Sequence, residues 1–225
     1  MTDPAAGPVL LVEDADGVRL LTLNRPDALN AFNQELWYAV AEQLEDASAD
    51  DSLKCVVLTG TGRAFSAGQD LGEMADPSVF ADQEPGYRRL MPVVEAFNKP
   101  LLAAVNGIGV GIGLTVLLHC DLVLIAESAR LKVPFISLGV TTEASASLLM
   151  PVAMGRQRAM EVLLTEPWID ADQAVADGLA LRSVPDAELM PQTMELARHR
   201  CRCSRPHRRG GDLGNGRGDH GQRPQ

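Results

Sequence analysis

The chain reads as an α/β protein, on three observations. Short apolar runs at residues 18–23, 54–60, 101–105 and 121–126 have the length and bounding turns of buried strands. Stretches with helical spacing separate them, an order that buries strands between helices. Two of the runs lead into small-residue turns, the places where α/β folds hold ligands.

The elements follow in order. Residues 18–23 form a strand closed by Asn24-Arg25-Pro26-Asp27. Asn30 is the expected cap of a helix over about 31–49, where Leu36, Val40 and Leu44 recur at helical spacing. Residues 54–60 form a buried strand that runs into the loop 61–71. A helix lies within 87–97 and is stopped by Lys99-Pro100. The strand 101–105 leads into Gly107-Ile108-Gly109-Val110-Gly111-Ile112-Gly113 and a helix to about Leu118. After the strand 121–126, helices are expected at about 144–154, 156–164, 171–177 and 187–199.

Composition narrows the function classes. The net charge is −10 over 225 residues, which argues against nonspecific binding to nucleic acid or anionic membranes. The start of the chain lacks a basic, apolar leader. Residues 101–126 are apolar, but Asn106, His119, Asp121 and the glycines interrupt them, and a buried strand–turn–helix–strand is the better reading than a membrane span. Cys55 and Cys120 sit in apolar surroundings as small core residues. Cys201 and Cys203 have no partner pair at zinc spacing, so no metal is expected. A reducing, cytoplasmic compartment is expected.

Residues 1–199 read as one domain and 200–225 as a basic tail. Residues 1–200 carry a net charge of −14. The last 25 residues hold six Arg against two Asp, six glycines, and Leu213 as the sole aliphatic side chain. That composition cannot bury apolar surface, and disorder is expected. The helix over 187–199 runs into this stretch without a stop signal, as a frameshifted reading would produce.

The glycine run has no acid or base between Gly107 and Leu118 near neutral pH. Its expected asset is exposed backbone N–H groups. A second turn, Ala64-Phe65-Ser66-Ala67-Gly68-Gln69-Asp70-Leu71, offers the same. One N–H from each turn, aimed at one carbonyl oxygen, makes an oxyanion hole. Close packing and tight turns alone would also explain these residues. Neither turn is a dinucleotide fingerprint or a Walker loop.

These motifs, with Asn24-Arg25-Pro26-Asp27-Ala28-Leu29-Asn30-Ala31, Lys99-Pro100, Ala103-Ala104-Val105-Asn106-Gly107 and Cys120-Asp121, resemble the crotonase superfamily of enoyl-CoA hydratases and isomerases over residues 10–198. The resemblance implies a crotonase-like spiral of ββα units with helices at the C-terminal side, binding an acyl-CoA thioester between the two turns. It implies oxyanion donors at the N–H groups of Gln69 and Ile112. It implies a substrate path along Ser66, Ala67, Gly68, Leu71 and Gly111, with Asp70 holding the turn. It implies a trimer or a dimer of trimers built through C-terminal helices, and no cofactor beyond the coenzyme A of the substrate. The recognisable sequence ends near His199, so poor assembly is expected.

Members similar to hydratases carry two glutamates, at the positions filled here by Thr115 and Phe135. Hydration needs groups to activate water and protonate carbon, so hydratase is not the expected main activity. Gly139-Val140-Thr141-Thr142-Glu143 resembles the isomerase branch, closest to peroxisomal-type Δ3,Δ2-enoyl-CoA isomerases, and implies Glu143 as the base. Phe135 and nearby aliphatics are expected to supply a dry pocket that raises the Glu143 pKa. Two alternatives stand beside this one: a ring-substrate isomerase of the epoxyphenylacetyl-CoA type, and a non-catalytic acyl-CoA-binding homologue. His119 is expected to be a packed core residue, and Arg25 and Lys132 surface charges.

Overall fold

The computed structural model describes residues 7–81 and 83–201. The tail beyond 201 and the proposed frameshift lie outside them, as does Cys203. β1 (Leu10–Ala15) and β2 (Val18–Leu23) form an antiparallel hairpin. Its two-residue turn, Asp16-Gly17, places both residues at positive φ, 56° and 78°, as a turn matching the strand twist demands.

α1 (Gln34–Ala49) crosses to β3 (Cys55–Gly60), which lies parallel to β2. β4 (Ala64–Ser66), α2 (Leu71–Met74) and α3 (Gly86–Ala96) follow. β5 (Leu101–Val105), β6 (Ile108–Val110) and α4 (Ile112–Thr115) make the next turn of the chain. β7 (Leu122–Ala126) and β8 (Arg130–Lys132) make a third. α5 (Ala146–Met154), α6 (Arg156–Thr165), β9 (Ile169–Asp170), α7 (Ala171–Ala176), β10 (Arg182–Val184) and α8 (Leu189–Cys201) complete the described chain.

The strands divide between two sheets. One has six strands in the order β1-β2-β3-β5-β7-β10, the other four in the order β4-β6-β8-β9. β3/β4, β5/β6 and β7/β8 each send one strand to each sheet, and every pairing among these six is parallel. This is the winding of repeated ββα units. β3 and β5 are buried almost throughout, as central strands of a parallel sheet must be when both faces are covered. α8 packs on β3 and β5, and Ala197 C=O lies 3.7 Å from Cys55 Sγ.

Two expectations are corrected. Asn33, not Asn30, caps α1, its side chain accepting from Leu36 N–H at 3.0 Å. Asn30 is fully buried at φ 57° and ties three loop segments together. Its amide donates to Thr61 and Ala64 C=O, both at 2.8 Å, and its oxygen accepts from Arg25 N–H. The helix after the glycines is a single α turn that tightens into 3-10 geometry over Val116–His119. Residues 101–126 are therefore strand, strand, short helix and strand, and no helix among the described residues is long and apolar enough to cross a membrane.

Candidate active site

The alternating glycines let two turns meet. A side chain at Gly113 would place Cβ 2.2 Å from Ser66 C=O, and one at Gly68 would meet Val110 C=O at 2.9 Å. No Cβ fits at such distances, so α4 packs on the end of β4, and the turn after β4 on the end of β6, only with glycine there. Gly111 has φ 55° and ψ −119°, a conformation closed to ordinary L residues.

The backbone around the two turns leaves two N–H groups in useful places. Gly68 C=O accepts from Phe32 N–H at 2.7 Å, and Asp70 N–H donates to Phe32 C=O at 2.9 Å. That parallel bridge directs the N–H of Gln69, between them, away from Phe32. Ile112 is the first residue of α4, so its N–H has no partner within the helix. Its neighbour Gly111 already donates to Lys132 C=O at 3.0 Å.

Asp70 holds its turn. Oδ1 accepts from Gly72 N–H at 3.0 Å and Glu73 N–H at 3.4 Å, capping α2. Oδ2 pairs with Arg25 at 2.9 Å. Arg25 is thus committed to this turn, and Lys132 lies over the Trp168 ring at 5.7 Å. Ser66 serves the turn from inside. It is fully buried, donating to Asn30 C=O at 2.9 Å and accepting from Gly68 N–H at 3.2 Å. Ala67 is half-buried and Leu71 is 59 % exposed, leaving them as the accessible side of the turn.

Glu143 comes to this place from the loop after β8. Its Oε1 lies 3.5 Å from the hydroxyl of Thr115, at the end of α4. A Cβ built on Gly111 would stand 3.8 Å from the same carboxylate oxygen and 3.8 Å from Gly68 Cα. Gly68, Gly111, Thr115 and Glu143 are therefore close neighbours. Burial pushes the Glu143 pKa up to about 7, with the Thr115 hydroxyl pulling it down. Phe135 is buried and accepts at its C=O from Val140 N–H at 3.0 Å, folding the loop that precedes Glu143.

The backbone after Glu143 is strained and held. Ala144 and Ser145 have φ of 47° and 56°, the left-handed region that costs non-glycine residues about 1 kcal/mol each. Ala144 N–H donates to the Tyr87 hydroxyl at 2.8 Å, and Ala144 C=O lies 2.9 Å from His119 Nε2. His119 is half-buried, and this contact, rather than simple core packing, is its visible role. Tyr87 stands edge-on to Trp37 at 5.8 Å, and Trp37 Nε1 donates to the Gln69 side chain at 3.0 Å. Sequence reading missed Tyr87 and Trp37, since no local pattern links residue 87 to one 57 positions downstream.

The chain matches the model of the enoyl-CoA hydratase/isomerase family over residues 13–209. It belongs to that family. It is 39 % identical over 189 residues to a 1,2-epoxyphenylacetyl-CoA isomerase of Escherichia coli, covering 81 % of this chain and 72 % of that protein. It is 38 % identical over 188 residues to a 2,3-dehydroadipyl-CoA hydratase of Escherichia coli, covering 84 % and 74 %. Among solved structures, an enoyl-CoA hydratase from Mycobacterium marinum superposes with a TM-score of 0.81 at 44 % identity, covering 88 % of this chain and 93 % of that one.

Proposed function

We propose that the protein is an acyl-CoA isomerase that moves a 3-enoyl-CoA double bond into conjugation at the 2-trans position, with Glu143 as its single acid–base group. The observation that carries this is the carboxylate beside Gly68 and Gly111, where the family pattern's two other glutamate positions hold Thr115 and Phe135. Family membership supports an acyl-CoA thioester as substrate.

The ionised carboxylate takes the proton from C2. The C2–H electron pair moves into the C2–C1 bond, and the thioester oxygen gains the negative charge. The N–H groups of Gln69 and Ile112 stabilise that oxygen. One such donor contributes about 3 kcal/mol to a transition state of this kind. The protonated Glu143 then returns the proton to C4, the thioester carbonyl re-forms, and the C3–C4 double bond becomes C2–C3. A pKa near 7 suits both halves of this transfer near neutral pH. Thr115 and Phe135 cannot activate a water molecule, which disfavours hydration of the product.

A ring-bearing thioester is the second reading, favoured by the similarity to the epoxyphenylacetyl-CoA isomerase. Leu148 and Val152, 65 % and 77 % exposed on α5, leave apolar surface open, in keeping with the poor assembly expected of this chain. Product analysis tests the reaction. A linear 3-enoyl-CoA should yield the conjugated 2-enoyl-CoA, with little 3-hydroxyacyl-CoA. Equal or faster formation of the hydroxyacyl product would sink the isomerase reading, and turnover confined to ring thioesters would replace it with the second.

A further inference from the structure

An aromatic strut joins the two halves of the proposed site. Gln69 lies in one turn and Glu143 in a loop 74 positions later in the numbering. Trp37, only 1 % exposed, donates from Nε1 to Oε1 of Gln69 at 3.0 Å. Phe32 packs against Trp37 with ring centroids 4.5 Å apart. The edge of Tyr87 meets Trp37 at 5.8 Å and 87°. The Tyr87 hydroxyl then accepts from the N–H of Ala144, the residue after Glu143. His119 holds the opposite group of the same peptide residue, Ala144 C=O.

We infer that Tyr87, braced by Trp37, is a positioning residue that sets the Glu143 carboxylate against the Gln69 turn. The inference rests on the proposed isomerase reading. Its physical ground is the left-handed pair Ala144-Ser145, which lacks glycine's freedom. Such a pair persists where its surroundings over-determine it. Tyr87 and His119 do so by engaging both backbone polar groups of Ala144. Releasing Ala144 N–H lets the turn relax, and Glu143 moves with it. Displacing one member of a proton-transfer pair costs rate more than affinity, since reaching a near-attack geometry is what such positioning secures.

Four variants of the full chain test this by 3-enoyl-CoA isomerisation: Tyr87→Phe, Trp37→Phe, Glu143→Gln and the pair Tyr87→Phe/Glu143→Gln. Tyr38→Phe, whose exposed hydroxyl donates to Glu84 C=O, is the control. Tyr87→Phe should lower kcat about tenfold and leave KM within about twofold, because its contact is with the N–H of Ala144, the backbone just after Glu143. The acid limb of its kcat/KM profile should move to lower pH as water reaches the carboxylate. Trp37→Phe should act in the same direction. In the Glu143→Gln background, Tyr87→Phe should change the residual rate less than about twofold, as residues acting as a unit do. Full kcat with an unchanged pH profile in Tyr87→Phe would overturn the inference. An equal loss with and without Glu143 would also overturn it. Full activity in Glu143→Gln alone would place the failure in the reaction proposed, not in the strut.

Discussion

The hydroxyl of Thr115 stands 3.5 Å from Oε1 of Glu143, joining positions 28 residues apart at the mouth of the glycine turn. Where the hydratase pattern places a carboxylate, this chain places a neutral donor against the carboxylate it does have. The contact favours the ionised form of Glu143, while burial opposes it.

Thr115→Val removes that donor and nearly preserves the volume. The Glu143 pKa, already about 7, should rise further, and the acid limb of the kcat/KM profile should move to higher pH. Activity above the new limb should be largely retained. The profile measured from pH 5 to 9, a range of about two units either side of that pKa, checks this.

Glu143 also makes stability depend on pH. Its folded pKa of about 7 lies above the ordinary 4.5, so the folded state holds the extra proton between those values. The corresponding stability is fully present below about 4.5 and is lost as pH rises through about 7. The loss is about 2 kcal/mol after discounting for water at a half-buried carboxylate. Glu143→Gln, which carries no charge to bury, should raise Tm by about 5 °C at pH 8 and by little at pH 4.5. Thermal melts at the two pH values show whether the difference exists.

Ala144→Gly and Ser145→Gly relieve the left-handed strain beside Glu143. Each should stabilise the fold by up to about 1 kcal/mol, partly offset by greater freedom in the unfolded chain. Denaturant titration measures the change.

Asn30→Ala should be far more costly. It strips a fully buried amide that ties Arg25, Thr61 and Ala64 together beneath the Ser66 turn. A loss of about 3 kcal/mol is expected from the orphaned backbone groups. The midpoint of urea unfolding should fall accordingly.

The long apolar strands β3, β5 and β7 were legible because a doubly covered strand writes its burial into every residue. The strands β4, β6 and β8 were not, since three residues are too few to show a period and β6 is interrupted by Gly109. β1 escaped notice because four of its six side chains face solvent, although Asp16-Gly17 marks its hairpin. Asn30 drew the expectation of a helix cap because a capping amide and a loop-bracing amide are the same residue type in sequence. The glycine turn and the Ser66 turn that faces it stand out through motif order, which is also what nominates Gln69, Ile112 and Glu143 for the proposed chemistry. Trp37, Tyr87 and His119 act through contacts between distant segments, which no local pattern records.

The rate of 3-enoyl-CoA isomerisation by Glu143→Gln, set against the parent chain, bears most directly on the proposed chemistry. The amide keeps the shape of the side chain and removes its ability to take a proton. The rate should fall by about 10²–10⁴-fold, the usual worth of a positioned general base. Binding of the acyl-CoA should persist, since the N–H groups of Gln69 and Ile112 remain. A variant that shifts the double bond as fast as the parent would contradict the assignment of Glu143 as the base.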